Sequence, residues 1–123
     1  MSDARNAVLV LGASPNPQRY SYKAIEMLSK FNWNIIAYGT KNGSVAGVPI
    51  TNIWQSNWNI HTITIYLNPS NQEPLYNPIL SLHPQRVIFN PGTENPEFES
   101  ILKKAGIKTE RSCTLVLLAT NQF

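Results

Sequence analysis

A chain of 123 residues, 42% of them hydrophobic, holds enough apolar material for one core and too little length for a second catalytic domain, so a single domain over residues 1–123 is expected. Ten Lys and Arg against seven Asp and Glu leave a net charge of +3, a mild bias toward anionic ligands without the basic stripe that nucleic-acid binding uses. The lone Cys113 excludes an internal disulfide and a Cys-rich zinc site. The polar start Met1-Ser2-Asp3-Ala4-Arg5-Asn6 and the short apolar run Ala7 to Leu11 exclude a signal-peptide core or membrane span there, and a cytoplasmic location is expected.

Ala7-Val8-Leu9-Val10-Leu11 is an unbroken β-prone run ending at Gly12, which reads as a strand buried on both faces, as in a parallel sheet. After the Pro15 and Pro17 turn, Ser21 is placed to cap a helix carrying Ile25, Leu28 and Phe31 on one face. Ile35-Ile36-Ala37-Tyr38 is the second strand, and Gly39-Thr40-Lys41-Asn42-Gly43 is the turn that leaves it. From Ser44 to Asn59 the irregular, Asn- and Trp-rich pattern reads as a surface connection with one short extended piece around Val45 to Ile50. The β-branched run His61 to Leu67, ending at Asn68-Pro69, is the third strand. Ser70 and Glu73 match the S-x-x-E capping box and predict a helix carrying Leu75, Ile79 and Leu82. Pro78 must shorten or kink it, since an interior proline costs about 3 kcal/mol in lost hydrogen bonding and steric conflict.

Arg86-Val87-Ile88-Phe89 is the fourth strand, followed by the loop Asn90-Pro91-Gly92-Thr93-Glu94. Asn95 then caps a helix with Pro96 in its first position, Glu97 and Glu99 near its positive end, Lys103 and Lys104 near its negative end and Gly106 as terminator. Ile107-Lys108-Thr109 reads as a short fifth strand, and the apolar tail Thr114 to Ala119 suits helix or strand. Alternating strands and helices imply an α/β fold: a doubly wound parallel sheet of about five strands with helices on both faces. Ligands of such sheets bind at the carboxyl ends of the strands, where strand order reverses.

At the first of those ends, Gly12 lets the backbone turn, small Ala13 and Ser14 admit a close ligand, and the following helix offers free amides and partial positive charge. A phosphate is the natural occupant, with Arg19 and the hydroxyls of Ser14, Tyr20 and Ser21 as donors; a plain tight turn is the structural alternative. Ser14 and Pro17 stand where the second and third glycines of G-x-G-x-x-G would be, which weakens a dinucleotide fit. The second strand ends not on the acid that NAD-binding domains place at the ribose but on Tyr38-Gly39-Thr40-Lys41. Unless it is merely a solvated surface lysine, Lys41 favours a ribose carrying an extra phosphate, as in NADP or coenzyme A.

The stretch Gly12-Ala13-Ser14 with Pro17, Arg19, Ser21 and Tyr22, the Lys41 loop followed by Ala46-Gly47-Val48, Leu67-Asn68-Pro69, and Asn90-Pro91-Gly92-Thr93-Glu94-Asn95 together resemble the small CoA-binding-domain proteins. Their Rossmann-like fold also forms the N-terminal part of the succinyl-CoA synthetase α subunit. The resemblance runs nearly end to end. It implies that the Gly12 to Ser21 loop takes the coenzyme's pyrophosphate and that Lys41 lies near the adenosine end. Asn68, Pro69, Asn90, Pro91 and Gly92 would then line the pantetheine side. One departure is Gly39-Thr40-Lys41, where many members read Asn-Pro-Lys.

The function this implies is binding of coenzyme A or an acyl-CoA without catalysis, as a sensor, carrier or presenter, because the ligase relatives draw their chemistry from further domains. Two alternatives stand beside it: a small NADP-dependent oxidoreductase with Tyr66 or Glu94 near the chemistry, and an interaction module with a vestigial pocket that dimerises through Leu115-Val116-Leu117-Leu118 or meets another protein. No membrane or nucleic-acid partner is expected. Cys113 is either an inert buried side chain or a thiol facing the coenzyme's sulfur. Trp54 and Trp58 are either core or stacking faces for adenine, Trp33 reads as core, and His61 and His83 read as structural without metal-ligand spacing.

Overall fold

The computed structural model describes residues 7–123, so the polar segment Met1–Asn6 lies outside the described residues. Its elements are β1 (Ala7–Leu11), α1 (Tyr20–Lys30), β2 (Ile35–Tyr38), β3 (Ser44–Val45), β4 (Val48–Thr51) and β5 (Ile60–Ile65). There follow α2 (Pro69–Gln72), a 3₁₀ turn (Glu73–Leu75), α3 (Tyr76–Leu82), β6 (Arg86–Phe89), α4 (Pro96–Lys104), β7 (Lys108–Arg111) and α5 (Thr114–Ala119). The strands form one sheet in the order β3-β4-β2-β1-β5-β6-β7, parallel throughout except for the β3–β4 pair.

Every residue of central strand β1 is buried, because helices cover both faces. Val8 and Val10 point into a cluster with Ile25 and Leu28 of α1 and Leu118 of α5. Leu9 and Leu11 point the other way, into a cluster with Ile79, Phe98 and Leu102 from α3 and α4. The period of two along one strand thus serves two cores, the signature of a doubly wound sheet. Among the described residues no helix is long and apolar enough to cross a membrane.

Four local expectations need correction. The sheet has seven strands rather than about five, because the extended piece expected around Val45 to Ile50 is two strands, β3 and β4. Ala46 and Gly47, at φ 52° and 81°, make a two-residue hairpin turn, and β4 pairs with β2 at Ala37↔Ile50 and Tyr38↔Thr51. Ser21 does not cap α1: Arg19 holds the N-cap position and Ser21 is buried one turn-step inside. The loop delivers the chain early because Ser14 Oγ accepts from the Asn16 amide and Asn16 Oδ1 from the Gln18 amide. Phe31 is the C-cap of α1 and is exposed, not part of its buried face.

The Ser70/Glu73 capping box also does not form. Asn68 is the cap, its Oδ1 accepting from the Asn71 amide with Pro69 in the first helical position. The helix is interrupted as prolines require, but the break falls at Glu73–Leu75, and Pro78 sits in the first turn of α3, where its missing N–H costs nothing. By contrast α4 starts as its sequence dictates, with Asn95 Oδ1 accepting from Phe98 N and Pro96 next. The apolar tail is α5, whose Leu117 and Leu118 are buried within the chain while Val116 is exposed.

Glu99 of α4 anchors β7 to the helix. Its carboxylate accepts from Arg111 Nε at 2.9 Å and from the Asn95 amide at 2.9 Å. Burial pushes its carboxyl up, but the Arg111 and Asn95 hydrogen bonds outweigh that and hold it below its ordinary value. A folded-state value below the unfolded one means that this stabilisation is present above the unfolded value and is lost as pH falls through the folded one. Glu99→Gln is therefore expected to flatten the dependence of the urea midpoint on pH below about pH 5.

Candidate functional site

The chain leaves β1 toward β2 on one side and later returns to β5 on the other, so the carboxyl ends of β1 and β5 mark the reversal of strand order. A cleft of about 1160 Å³ opens there. That exceeds the roughly 300–1,000 Å³ of ordinary small-molecule pockets and suits an extended ligand.

Backbone contacts shape one wall. Gly12, at φ 87°, presses against the next strand: a Cβ there would lie 3.0 Å from the Tyr66 carbonyl carbon and oxygen. The amides of Gly12 and Ala13 both donate to the Tyr38 carbonyl, each at 3.0 Å. A Cβ on Gly39 would fall on the Ala13 carbonyl oxygen, and one on Gly43 would come within 2.8 Å of Pro15 Cβ. The loops after β1 and β2 are thus interlocked. Arg19 supplies no side-chain cap, so the first-turn amides of α1 keep their partial positive charge beside this loop.

Ten of the thirteen residues expected from sequence to hold the cofactor are gathered around this cleft. Gly12, Ala13 and Ser14 line it from the β1 loop, Arg19, Tyr20 and Ser21 from the start of α1, and Lys41 from the β2 loop. Asn68, Pro91 and Gly92 line its other limb. Pro17, Pro69 and Asn90 do not line it. Pro17 and Pro69 are exposed, the latter as the first residue of α2. Asn90 is 2% exposed and acts as a strut: its Nδ2 donates to Thr64 Oγ1 at 2.7 Å and the Ile65 carbonyl at 2.9 Å, and its Oδ1 accepts from the Thr114 amide at 2.8 Å.

Sequence reasoning missed the wall made by Asn71, Pro74 and Leu75. Their i, i+3, i+4 spacing is visible in the sequence, but there Leu75 reads as part of the helix's apolar face rather than as cleft wall. Buried Gln72 fastens that wall: its Nε2 donates to the Leu67 carbonyl at 2.9 Å and the Thr93 carbonyl at 2.8 Å, and its Oε1 accepts from Asn95 Nδ2 at 2.9 Å. Tyr38 and Tyr66 also line the cleft. Among the described residues the Tyr66 hydroxyl is the one buried side-chain polar atom without a well-formed hydrogen bond. Burial pushes its pKa up to about 12, so it is a neutral phenol.

The remaining candidates lie outside the lining. Trp54 and Trp58 pack on each other with ring centroids 5.1 Å apart, and Trp54 meets the back of Tyr38 edge-on at 5.2 Å. Trp33 packs on His61 and Phe123. Cys113 is the half-buried N-cap of α5. His83 is the exposed, left-handed C-cap of α3. Glu94 is exposed, and its Oε1 accepts from the Gly92 amide at 2.9 Å, which holds that loop. Among the described residues no cluster of three or more His, Cys, Asp or Glu is placed to hold a metal ion.

Comparison with known proteins places this geometry in context. The chain resembles a solved structure of an uncharacterized protein at 47% identity and a TM-score of 0.92, over 96% of this chain and 98% of the other. The fold is shared with a cell-free protein, ID.343, from Thermus thermophilus, at 20% identity, a TM-score of 0.81 and full coverage of both chains. It is shared also with a hypothetical protein from Pyrococcus horikoshii OT3, at 19% identity and a TM-score of 0.79, over 91% of this chain and 80% of that one. No curated protein matches significantly. The sequence profile described as CoA binding domain matches residues 6–119, and with it the chain belongs to the CoA-binding-domain family.

Proposed function

We propose that the cleft binds coenzyme A or an acyl-CoA, and that one domain does so without turning the ligand over. The pyrophosphate sits on the Gly12-Ala13-Ser14 loop and the start of α1, with Arg19 beside it. The ribose 3′-phosphate reaches Lys41, and pantetheine runs along Asn68, Pro91 and Gly92. The observation that carries this reading is that an uncapped helix start, Arg19 and Lys41 all border one limb of a single cleft.

Calorimetric titration with CoA, dephospho-CoA, NADPH and NADH tests it. CoA is expected to bind about fivefold more tightly than dephospho-CoA at low ionic strength, and Lys41→Ala to abolish that difference. NADPH binding as tightly as CoA would favour the oxidoreductase reading, and indifference to the 3′-phosphate would remove Lys41 from the site. Thermal melts unmoved by any nucleotide would favour the interaction module.

A further inference from the structure

The cleft has a charge gradient. Its only charged lining residues among those described are Arg19 and Lys41, both on the limb next to α1 and β2. The opposite limb, formed by Leu67, Asn68, Asn71, Leu75, Pro91 and Gly92, is apolar or neutral. Outside the lining, carboxylates stand next to this limb. Glu94 lies on the Gly92 amide at 2.9 Å, Glu97 accepts from the Tyr76 hydroxyl at 3.3 Å, and Glu73 is close enough to influence the same tyrosine.

The described cations nearest to these carboxylates lie outside the cleft lining, and Arg111 is close enough to Glu94 to offset part of its charge. Arg111 spends its guanidinium on Glu99, with contacts of 2.9, 3.2 and 3.1 Å. Lys103 and Lys104 occupy the last turn of α4, about 10 Å along the helix axis from its start beside the Gly92 loop. Coenzyme A is complementary to such a gradient in one direction only. Its phosphates are at the adenosine end, whereas its pantetheine arm is uncharged, so the thiol or thioester end must lie on the neutral limb, toward Glu94.

Resting on the proposed coenzyme A reading, we infer that the site selects by charge at the far end of the ligand: it accepts the free thiol or thioesters of uncharged acyl groups and rejects thioesters whose acyl group ends in a carboxylate. Among the described residues no cation lines this limb, and Arg111, the one that feels Glu94, is already bonded to Glu99. The carboxylate would lose hydration against Leu75 and Pro91 and meet Glu94 at like charge. Specificity then comes from a repulsive element rather than from contacts to the favoured acyl group.

The test is titration of the intact chain with CoA, acetyl-CoA and succinyl-CoA at low and high salt. Acetyl-CoA is expected within about threefold of CoA, and succinyl-CoA about tenfold weaker than acetyl-CoA, with the gap shrinking as salt rises. Glu94→Gln, which keeps an acceptor for the Gly92 amide, and Asn71→Lys, which adds a cation to the neutral wall, should each narrow the succinyl-to-acetyl ratio. Succinyl-CoA binding as tightly as acetyl-CoA would overturn the selectivity and leave the coenzyme reading standing. Failure of CoA and acetyl-CoA alike to bind would overturn both.

Discussion

Gly39→Ala is expected to lower stability by about 2 to 3 kcal/mol and to weaken CoA binding more than tenfold. The reason lies across the cleft wall rather than in the turn itself. The added methyl would fall on the Ala13 carbonyl oxygen, a backbone atom that cannot swing aside as a side chain can. Ala13 in turn is tied to β2 through its amide bond to the Tyr38 carbonyl at 3.0 Å. The loop after β1 must therefore shift as a unit, away from the start of α1, with which it forms the proposed pyrophosphate site. A urea midpoint and a CoA titration measure the two effects. Gly106→Ala is the control: φ is 82° there, but nothing lies within 4 Å of the new Cβ. It should cost about 1 to 2 kcal/mol of left-handed strain and leave CoA affinity untouched. Equal binding loss in both variants would show that the effect follows general destabilisation and not the interlocked loops.

Asn90→Ala is expected to cost about 3 to 4 kcal/mol, because it strands the Ile65 carbonyl and the Thr114 amide and removes a partner from Thr64 in a region with almost no solvent access. Asn90→Asp should be at least as damaging at neutral pH. It keeps the acceptor for Thr114 but loses both donors and sets a buried carboxylate against the Ile65 carbonyl. Burial and that carbonyl favour its protonated form, so the folded-state pKa would lie above the unfolded one, and part of the loss should return as pH falls. Denaturation curves across pH distinguish this from a ligand role. A stable Asn90→Ala chain that had lost CoA affinity would restore Asn90 to the pantetheine wall, where its place after the fourth strand first put it.

Asn90 shows why a site can be readable in position and not in role. Its spot at a strand's carboxyl end marks it as near the ligand, yet its three partners come from residues 24 to 26 positions away. The start of α2 was hidden for a smaller reason. Two polar residues, Asn68 and Ser70, both qualify as caps, and only the fold decides between them: Ser70 Oγ donates to Asn68 Oδ1, which also receives the Asn71 amide. The second strand pair was hidden by Pro49 and by the left-handed Ala46, neither of which reads as strand or turn by type.

Where the signal is local, the residues alone settle the structure. The five apolar residues of β1 demand a strand covered on both faces, Asn95-Pro96 starts α4, and Gly12 turns the chain out of β1. The tertiary structure decides whatever depends on distant partners. It brings Lys41 to the same cleft as Arg19, turns Asn90 inward, and builds the uncharged limb from α2 and the loop after β6. The physical reason is that a cap, a turn or a buried run is stabilised within a few residues of itself. A cleft wall, by contrast, exists only once sheet pairing has set chain segments tens of residues apart side by side.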